Sequence, residues 1–241
     1  MNRLIPILLS TSLVGAGLAP AVAAEWTLDP ARSHLSYVSI KSGHIGEINH
    51  FTEIAGRIDD DGQVVVDTAL DSVETLIPIR NERMREILFK TTNYSDATLS
   101  AKLNPAEIAA LQPGEIVEVV AESTLSLHGE RQPLVLKMQA AKLDAHTLMV
   151  ASIEPVILDA ANFGLSEGVE TLREIAGLDS ISRAVPVTFV MTFESEHPAP
   201  GASAEMPTAK TLDRYLTYRE IVEAMSSEQK EAIAALFSPR R

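Results

Sequence analysis

The sequence contains no cysteine among its 241 residues. This absence excludes disulfide bonds, thiolate nucleophiles and cysteine-based metal sites. It also excludes a lipid-anchored lipoprotein, because no cysteine follows the apolar run near the start of the chain. A chain of this length can bury enough apolar surface to fold without disulfides.

Positive charge is also scarce. Lysine and arginine number 20 against 33 aspartate and glutamate residues, which gives a formal net charge of −13. Nucleic-acid phosphates and anionic membrane surfaces repel such a chain, so we expect no nucleic acid among its partners. The one concentrated basic group is formed by Arg80, Arg83 and Arg85.

Long apolar runs are missing except at the start of the chain. Arg3 precedes an apolar run at residues 4–19, and small residues follow it up to Ala24. A charged start, a short apolar run and an Ala-x-Ala ending are typical of a secretory signal peptide, whereas a membrane anchor, the alternative, needs roughly 20 apolar residues. We therefore predict a signal peptide at residues 1–24, cleaved after Ala23 or Ala24, and a soluble periplasmic protein with no transmembrane segment once it is cleaved.

Residues 25–196 alternate apolar and polar side chains in short runs that end at Gly, Pro, Asn or Asp. A period of two broken by such residues is typical of strands joined by turns. No strand–helix–strand repeat is visible, which argues against a parallel sheet. The clearest alternating sets are Leu35, Tyr37 and Ser39; Val117, Val119, Ala121, Ser123, Leu125 and Leu127; Leu134, Leu136 and Met138; and Val187, Phe189, Met191 and Phe193.

Three stretches of this domain have helical features instead. Residues 79–89 place Met84, Ile87 and Leu88 on one face of a helix. Residues 105–111 begin with a proline after Asn104, a typical helix start. Residues 167–177 are amphipathic and end at a glycine. The sequence therefore predicts a β-rich domain with a few short helices.

The composition changes after this domain. Residues 197–207 are rich in Pro and Ala and predict a linker, and residues 208–241 predict a helical tail with helices at 212–225 and 228–237. A tail of about 30 residues is too small for its own core. It would pack on the β-rich domain, bind a protein partner or stay mobile, and apolar residues such as Tyr215 and Leu216 could support a homodimer.

A domain of about 170 residues with many antiparallel strands and few helices is a barrel or a sandwich. Closing the sheet into a barrel removes its edges. An eight-stranded barrel has an interior that is either filled by side chains or just large enough for one ligand.

The domain contains several specific motifs. In chain order they are Trp-Thr-Leu-Asp-Pro-Ala-Arg-Ser at 26–33, Asp-Ser-Val-Glu-Thr at 71–75, Arg-Asn-Glu-Arg-Met-Arg at 80–85 with Phe89, Tyr94, Leu-Ser-Leu-His-Gly-Glu-Arg-Gln-Pro-Leu at 125–134, and Asn-Phe-Gly-Leu at 162–165. Together they resemble the YceI-like family of exported polyisoprenoid-binding proteins. The most specific is the motif at 125–134, which is similar to the family's Leu-Thr-x-His-Gly-x-x-x-Pro hairpin.

The sequence also departs from the family pattern. Arg32, Arg83 and Ser95 stand where the family has His, His and Pro, and residues 49–51 read Asn-His-Phe where a Gly-x-Phe is expected. The helix at 167–177 is longer than the family's loop, and the tail is an addition. The chain therefore resembles a divergent member of the family.

The resemblance implies a mainly β fold, a lipocalin-like antiparallel eight-stranded barrel, that holds a polyisoprenoid such as a prenyl quinone as its apolar lipid ligand and needs no cofactor. The expected head-group contacts are Arg80, Arg83 and Arg85, unless Glu82 and Glu86 pair with them on a solvated helix face. The expected contacts with the lipid tail, unless they are ordinary core residues, are Phe51, Ile87, Leu88, Phe89, Tyr94 and Phe163.

Catalytic and metal motifs are not found in the sequence. His34, His44 and His50 lack the tight spacing of a zinc site, and we expect His128 to bond the local backbone of its turn. We therefore expect a binding protein and not an enzyme. The alternatives are a stress-response or protein-interaction module that fills its barrel with side chains and acts through the tail, and a lipid-modifying enzyme of unspecified class.

Overall fold

The computed structural model describes residues 25–195. The predicted signal peptide, linker and helical tail lie outside these residues. No helix within them is long and apolar enough to span a bilayer.

Twelve β-segments form one antiparallel sheet. Segments that follow each other in the chain, separated by a short bend, make one longer strand in four cases: β1 with β2, β3 with β4, β5 with β6, and β10 with β11. The segments are β1 (Trp26–Leu28), β2 (His34–Lys41), β3 (Ile45–Phe51), β4 (Ile54–Ile58), β5 (Gln63–Ala69), β6 (Val73–Glu74), β7 (Asp96–Lys102), β8 (Ile116–Leu127), β9 (Glu130–Lys142), β10 (Thr147–Ser152), β11 (Val156–Asp159) and β12 (Ala184–Ser195).

The last strand pairs with the first and closes the sheet. Trp26 lies opposite Ser195 in the β1–β12 pairing, and Tyr37 lies opposite Val187 in the β2–β12 pairing. Every other strand pairs with its neighbour in sequence. The expected eight-stranded antiparallel barrel is therefore confirmed, with an up-and-down order of strands that leaves no open edge.

The hairpin between β8 and β9 shows how the sequence sets the register. Its loop is the pair His128 and Gly129, with φ of 53° and 84°. Two positive φ values at the centre of a two-residue loop are typical of a type I′ turn, whose twist matches that of the flanking strands. This turn fixes Leu127 opposite Glu130 and Leu125 opposite Gln132.

The predicted helices lie close to their expected bounds. They are α1 (Pro78–Arg83), continued by a π-helical segment (Met84–Phe89), α2 (Pro105–Ala110) and α3 (Ser166–Ile175). Asn104 caps α2 by accepting a hydrogen bond from the amide of Ala106 at 3.1 Å. Gly177 has a φ of 62° just after α3, in keeping with its predicted role as a stop.

The two ends of the barrel differ. Trp26, Ile58 and Phe193 belong to the core at one end, which α2 covers through Ile108. The other end, called here the helical end, is covered by the π-helical segment that continues α1 and by α3 (Met84–Phe89 and Ser166–Ile175). Gly168 of α3 allows this cover to close tightly, because a β-carbon there would lie 3.0 Å from the Cα of Leu88.

Candidate functional site

The barrel encloses a cavity of about 250 Å³. Its wall is formed by the side chains that point inward from the strands, which are every second residue. The π-helical segment and α3 close the cavity at the helical end. Among residues 25–195, no charged side chain lines it, and Tyr37 and Thr68 are the only lining residues with a side-chain nitrogen or oxygen atom. The remaining wall is aliphatic or aromatic, as the period-two pattern of the strands requires.

Four of the six predicted tail-contact residues line this cavity, and they are Phe51, Leu88, Phe89 and Phe163. Phe51 lies between two other rings, with centroids 5.6 Å from Tyr37 and 5.9 Å from Phe89. These rings form an aromatic wall at the helical end.

The other two predicted residues, Ile87 and Tyr94, do not line the cavity. Ile87 is half-buried on the π-helical segment, whose neighbours Leu88 and Phe89 face inward instead. The Tyr94 ring packs against His128, with ring centroids 4.2 Å apart. The π-helical geometry rotates consecutive side chains by less than an α-helix does, which explains why an α-helical reading misplaces Ile87.

Buried polar atoms without partners among the described residues lie at the helical end of the barrel. The Tyr37 hydroxyl and the Arg80 Nε are buried and have no hydrogen-bond partner among residues 25–195. Burial raises the pKa of Tyr37, and the charge of Arg80 opposes this shift. The tyrosine therefore stays a neutral hydroxyl that can donate a hydrogen bond, and a buried donor without an acceptor costs about 1–3 kcal/mol.

A small ionic network holds Arg80 at this place. Arg80 and Lys41 both pair with Glu47, and the Lys41 Nζ lies 2.8 Å from the Glu47 Oε1. The hydrogen bond from Lys41 and the charges of both cations keep the pKa of Glu47 below its ordinary value. The alternative that Glu82 and Glu86 pair with the arginines is wrong for Arg80, because its carboxylate partner comes from β3.

The other two predicted head-group arginines lie away from the cavity wall. Arg85 donates a weak hydrogen bond to the carbonyl of Asp71 at 3.3 Å. Arg83 is half-buried on α1 and has no ion pair within the described part of the chain. The structure therefore places only Arg80 of this group beside a cavity residue.

Asn81 fixes the loop that leads into α1. It is buried, and its side-chain oxygen accepts hydrogen bonds from the amide of Thr75 at 2.9 Å and from the Thr75 hydroxyl at 2.5 Å. Arg80 Nη2 donates to the Thr75 carbonyl at 2.5 Å. These bonds fix the position of Arg80 relative to the barrel.

The histidines do not form a metal site. No group of three or more potential metal-ligating side chains occurs within residues 25–195. His128 bonds through Nδ1 to the carbonyl of Phe163 at 3.2 Å, so the expectation of a bond to its own turn is wrong. Its ring instead ties the β8–β9 hairpin to the loop that carries a cavity residue.

Sequence reasoning missed several polar residues that face inward. Asn49 lies opposite Tyr37 in the β2–β3 pairing and is buried. Lys142, at the other end of the barrel, is almost completely buried. The alternation could have identified both, because residues two apart on a strand face the same side. Asn49 lies two residues before Phe51, and Lys142 continues the inward-facing series of Leu136 and Met138.

Comparison with known proteins agrees with this architecture. The model of the YceI-like domain matches residues 26–193. No curated protein matches the chain. The structure is similar to that of a polyisoprenoid binding domain from Saccharophagus degradans implicated in plant cell wall breakdown, with 38% identity, a TM-score of 0.69, and coverage of 70% of this chain and 98% of that one.

A second solved structure supports the fold alone. BcnA of Burkholderia cenocepacia is 16% identical, with a TM-score of 0.53 and coverage of 68% of this chain and 98% of its own. The family model spans most of the sequence, from the first strand of the barrel to the last. The chain therefore belongs to the YceI-like family.

Proposed function

We propose that this protein is an exported carrier that holds a long apolar lipid of the polyisoprenoid type inside its barrel. The observation that carries the proposal is the cavity, whose wall contains no charged side chain. Water has few hydrogen-bond partners in such a space, and apolar cavities of this kind stay dry and accept apolar ligands. A prenyl chain needs no specific polar contact along its length.

The energetics favour an occupied cavity. Burying apolar surface stabilises a complex by roughly 0.8 kcal/mol per methylene group, less the cost of ordering the ligand. The cavity volume of about 250 Å³ is near the lower end of ligand pockets. A long chain would therefore fill it completely and displace the flexible side chains at its ends, among which we propose Phe51, Leu88, Phe89 and Phe163 as the tail contacts.

The helical end suits the polar end of such a ligand. The Tyr37 hydroxyl and the Arg80 Nε are donors there with no acceptor in the described part of the chain. An oxygen on the ligand would satisfy them and remove the cost of leaving them unpaired. We propose Arg80 and Tyr37 as the first head-group contacts, with Arg83 and Arg85 as outer contacts for a larger or anionic head.

The similar domain from Saccharophagus degradans is described as polyisoprenoid binding, which supports the same ligand class here. The alternative of a barrel filled by side chains is disfavoured by the open interior. We therefore propose binding without catalysis as the activity of the barrel.

The test is mass spectrometry of the organic extract of protein purified from its native source without detergent. A stoichiometric prenyl lipid would establish the ligand. If the extract is empty, the protein is titrated with a prenyl quinone and with squalene, a prenyl hydrocarbon without a head group. Failure to bind either would refute the proposal.

A further inference from the structure

The helical end carries exposed aliphatic side chains on its outer surface. Ile48 of β3 is 72% exposed and Leu76 is 81% exposed, and Ile77 and Ile79 at the start of α1 are also exposed. We call these four residues the apolar tip. Leu76, Ile77 and Ile79 lie close together in the chain just after β6, and Ile48 lies on β3, the strand that pairs with β6. Contiguous exposed apolar residues on a folded protein typically mark an interaction surface.

The backbone holds the apolar tip in place. Leu76 has a φ of 62°, a left-handed conformation that is unfavourable for a large residue. Its amide donates to the Glu74 carboxylate, and Asn81 holds the neighbouring Thr75 through two hydrogen bonds. Strained backbone that the surroundings enforce is often found at functional positions. The exposure of Leu76 is therefore a feature of the ordered fold.

The charge around the tip differs in sign from that of the whole chain. Residues 76–90 contain four basic side chains, Arg80, Arg83, Arg85 and Lys90, and two acidic ones, Glu82 and Glu86, so their net charge is +2 in a chain of −13. Lys41 and Arg80 flank Glu47, and Glu74 lies beside Leu76. The segment is therefore a local region of positive charge in an acidic chain, and each basic side chain that lies near an anionic surface contributes about 1 kcal/mol to binding.

We propose that the apolar tip docks on the surface of an anionic lipid bilayer. The aliphatic side chains would enter the boundary between head groups and acyl chains. Arg83 and Arg85 would contact the lipid phosphates, since Arg80 is held in its ion pair with Glu47. The same helical segment that begins at the tip ends at Leu88 and Phe89 in the cavity wall. The docked barrel would therefore present its helical end to the membrane. The proposal concerns the outer surface alone and holds whether or not the cavity carries a lipid.

The test is co-sedimentation of the protein with phosphatidylcholine vesicles, with and without phosphatidylglycerol. The tip variant combines Leu76→Asn, Ile77→Ser and Ile79→Gln. Asn tolerates the left-handed conformation at position 76. Position 77 is the N-cap of α1 and makes no side-chain cap bond, so a serine there would add one. Gln is a good helix former. The variant should therefore fold at least as stably as the wild type.

The matched control combines Ile116→Thr, Val120→Thr and Val135→Thr. These residues are 65%, 67% and 63% exposed on the outer face of β8 and β9, among acidic neighbours such as Glu118 and Glu122. Threonine keeps the β-branched shape that suits a strand. We expect the tip variant to bind phosphatidylglycerol vesicles about tenfold more weakly than the wild type, and the control variant to bind as the wild type does.

Further variants separate the contributions. Arg83→Gln should weaken binding to phosphatidylglycerol vesicles about fivefold and leave binding to pure phosphatidylcholine unchanged, because it removes one positive charge and no apolar contact. A wild type that does not sediment with vesicles, or a tip variant that binds like the wild type, would overturn the proposal. So would a loss of binding caused by Tyr215→Ser and Leu216→Ser alone, since the tail would then be the membrane contact. Sedimentation velocity tests whether the apolar tip instead binds a second copy of the chain. That would be the result if the wild type were a dimer, the tip variant alone were a monomer, and neither bound vesicles.

Discussion

The ammonium nitrogen of Lys142 lies 4.7 Å from the centre of the Trp26 indole ring. Lys142 is 1% exposed, and its nitrogen has no hydrogen-bond partner among the described residues. Burial lowers the pKa of Lys142, and the charge of Asp144 only partly opposes this. The cation–π contact recovers up to about 2 kcal/mol, which is less than the several kcal/mol that removing an ammonium from water costs.

Replacing this lysine should stabilise the protein. In Lys142→Met the side chain keeps a similar length, and its sulfur can contact the indole. We expect a gain of about 1 kcal/mol at neutral pH, seen as a rise of about 2–4 °C in the thermal midpoint. The control is Lys137→Met on the same strand, where the exposed ammonium lies 2.9 Å from the Glu154 carboxylate and little change is expected.

The pH dependence of this gain identifies its cause. The pKa of Lys142 is lower in the folded than in the unfolded state, where it is near 10.5. Between these two values the unfolded chain binds more protons, so the stability of the wild type rises with pH. The advantage of Lys142→Met should therefore shrink as the pH rises toward 10.5. An advantage that does not depend on pH would mean that packing, and not the charge, causes it.

Glu47, at the helical end, gives a second dependence on pH, which has the same sign but lies in the acid range. Its pKa is lowered in the folded state, first by the hydrogen bond from Lys41 and then by the charge of Arg80. The stability that this contributes is present above the ordinary value of 4.5 and is lost as the pH falls through the folded pKa. Because the carboxylate is partly exposed, the contribution is less than about 1 kcal/mol.

Glu47→Gln should therefore destabilise the protein slightly at neutral pH, and the difference from the wild type should vanish in acid. Urea denaturation at a series of pH values from neutral downward measures the free energy of unfolding of the variant and of the wild type at each pH. Glu53→Gln, an exposed change just after β3, serves as the control and should behave as the wild type does. A difference for Glu47→Gln that persists in acid would show that the ion pairs with Lys41 and Arg80 are not its source.

Most of the fold can be predicted from the sequence because it depends on local patterns of residues, which can be recognised without knowing the tertiary contacts. Alternation identifies the inward faces of β8, β9 and β12, and proline, asparagine and glycine mark the ends of the short helices. The bends inside four of the strands are not predicted. One example is the 3₁₀ turn at Pro30–Arg32, which interrupts a strand. The Ser33 hydroxyl spans this turn, because it donates to the Asp29 carbonyl and accepts from the amide of Thr192 on β12.

The site is harder to predict because it depends on which distant side chains meet. Ile87, which the sequence predicts beside Leu88 and Phe89 as a tail contact, does not line the cavity, because the segment is π-helical. Arg80 is held near the cavity residue Tyr37 by its ion pair with Glu47, 33 residues away. No local pattern in the sequence encodes that ion pair, so Arg80 cannot be distinguished from Arg83 and Arg85 without the structure.

Tyr37 provides a test of where the lipid head group lies. Tyr37→Phe removes a buried hydroxyl without an acceptor, so the lipid-free protein should gain about 1 kcal/mol. If the hydroxyl donates to the ligand, a prenyl quinone should bind about tenfold more weakly to the variant, whereas squalene should bind equally to both proteins. Fluorescence titration with each ligand measures this.

Tyr94→Phe is the matched control, because Tyr94 packs against His128 and does not line the cavity. It should bind both ligands as the wild type does. Equal affinity of wild type and Tyr37→Phe for the prenyl quinone would place the head group elsewhere. Loss of squalene binding in Tyr37→Phe would point to a distorted cavity.

Ala121 allows the cavity itself to be blocked. It is buried at the middle of β8, lies opposite Leu136 and lines the cavity. In Ala121→Phe the ring would occupy the space proposed for the lipid. Overpacking a core costs about 1–3 kcal/mol, but here the ring enters open space and the net cost should be at the lower limit. We expect a folded protein that binds prenyl lipids at least about tenfold more weakly.

The neighbouring residue provides the control for this change. Val120 points to the outer face of the same strand and is 67% exposed, so Val120→Phe adds a ring of the same size outside the barrel. It should leave lipid binding unchanged. Circular dichroism and thermal melting establish that both variants are folded, and titration with squalene compares their affinities. If Ala121→Phe binds squalene as tightly as Val120→Phe does, the lipid does not occupy the barrel, because no prenyl chain can share the middle of this cavity with a phenyl ring.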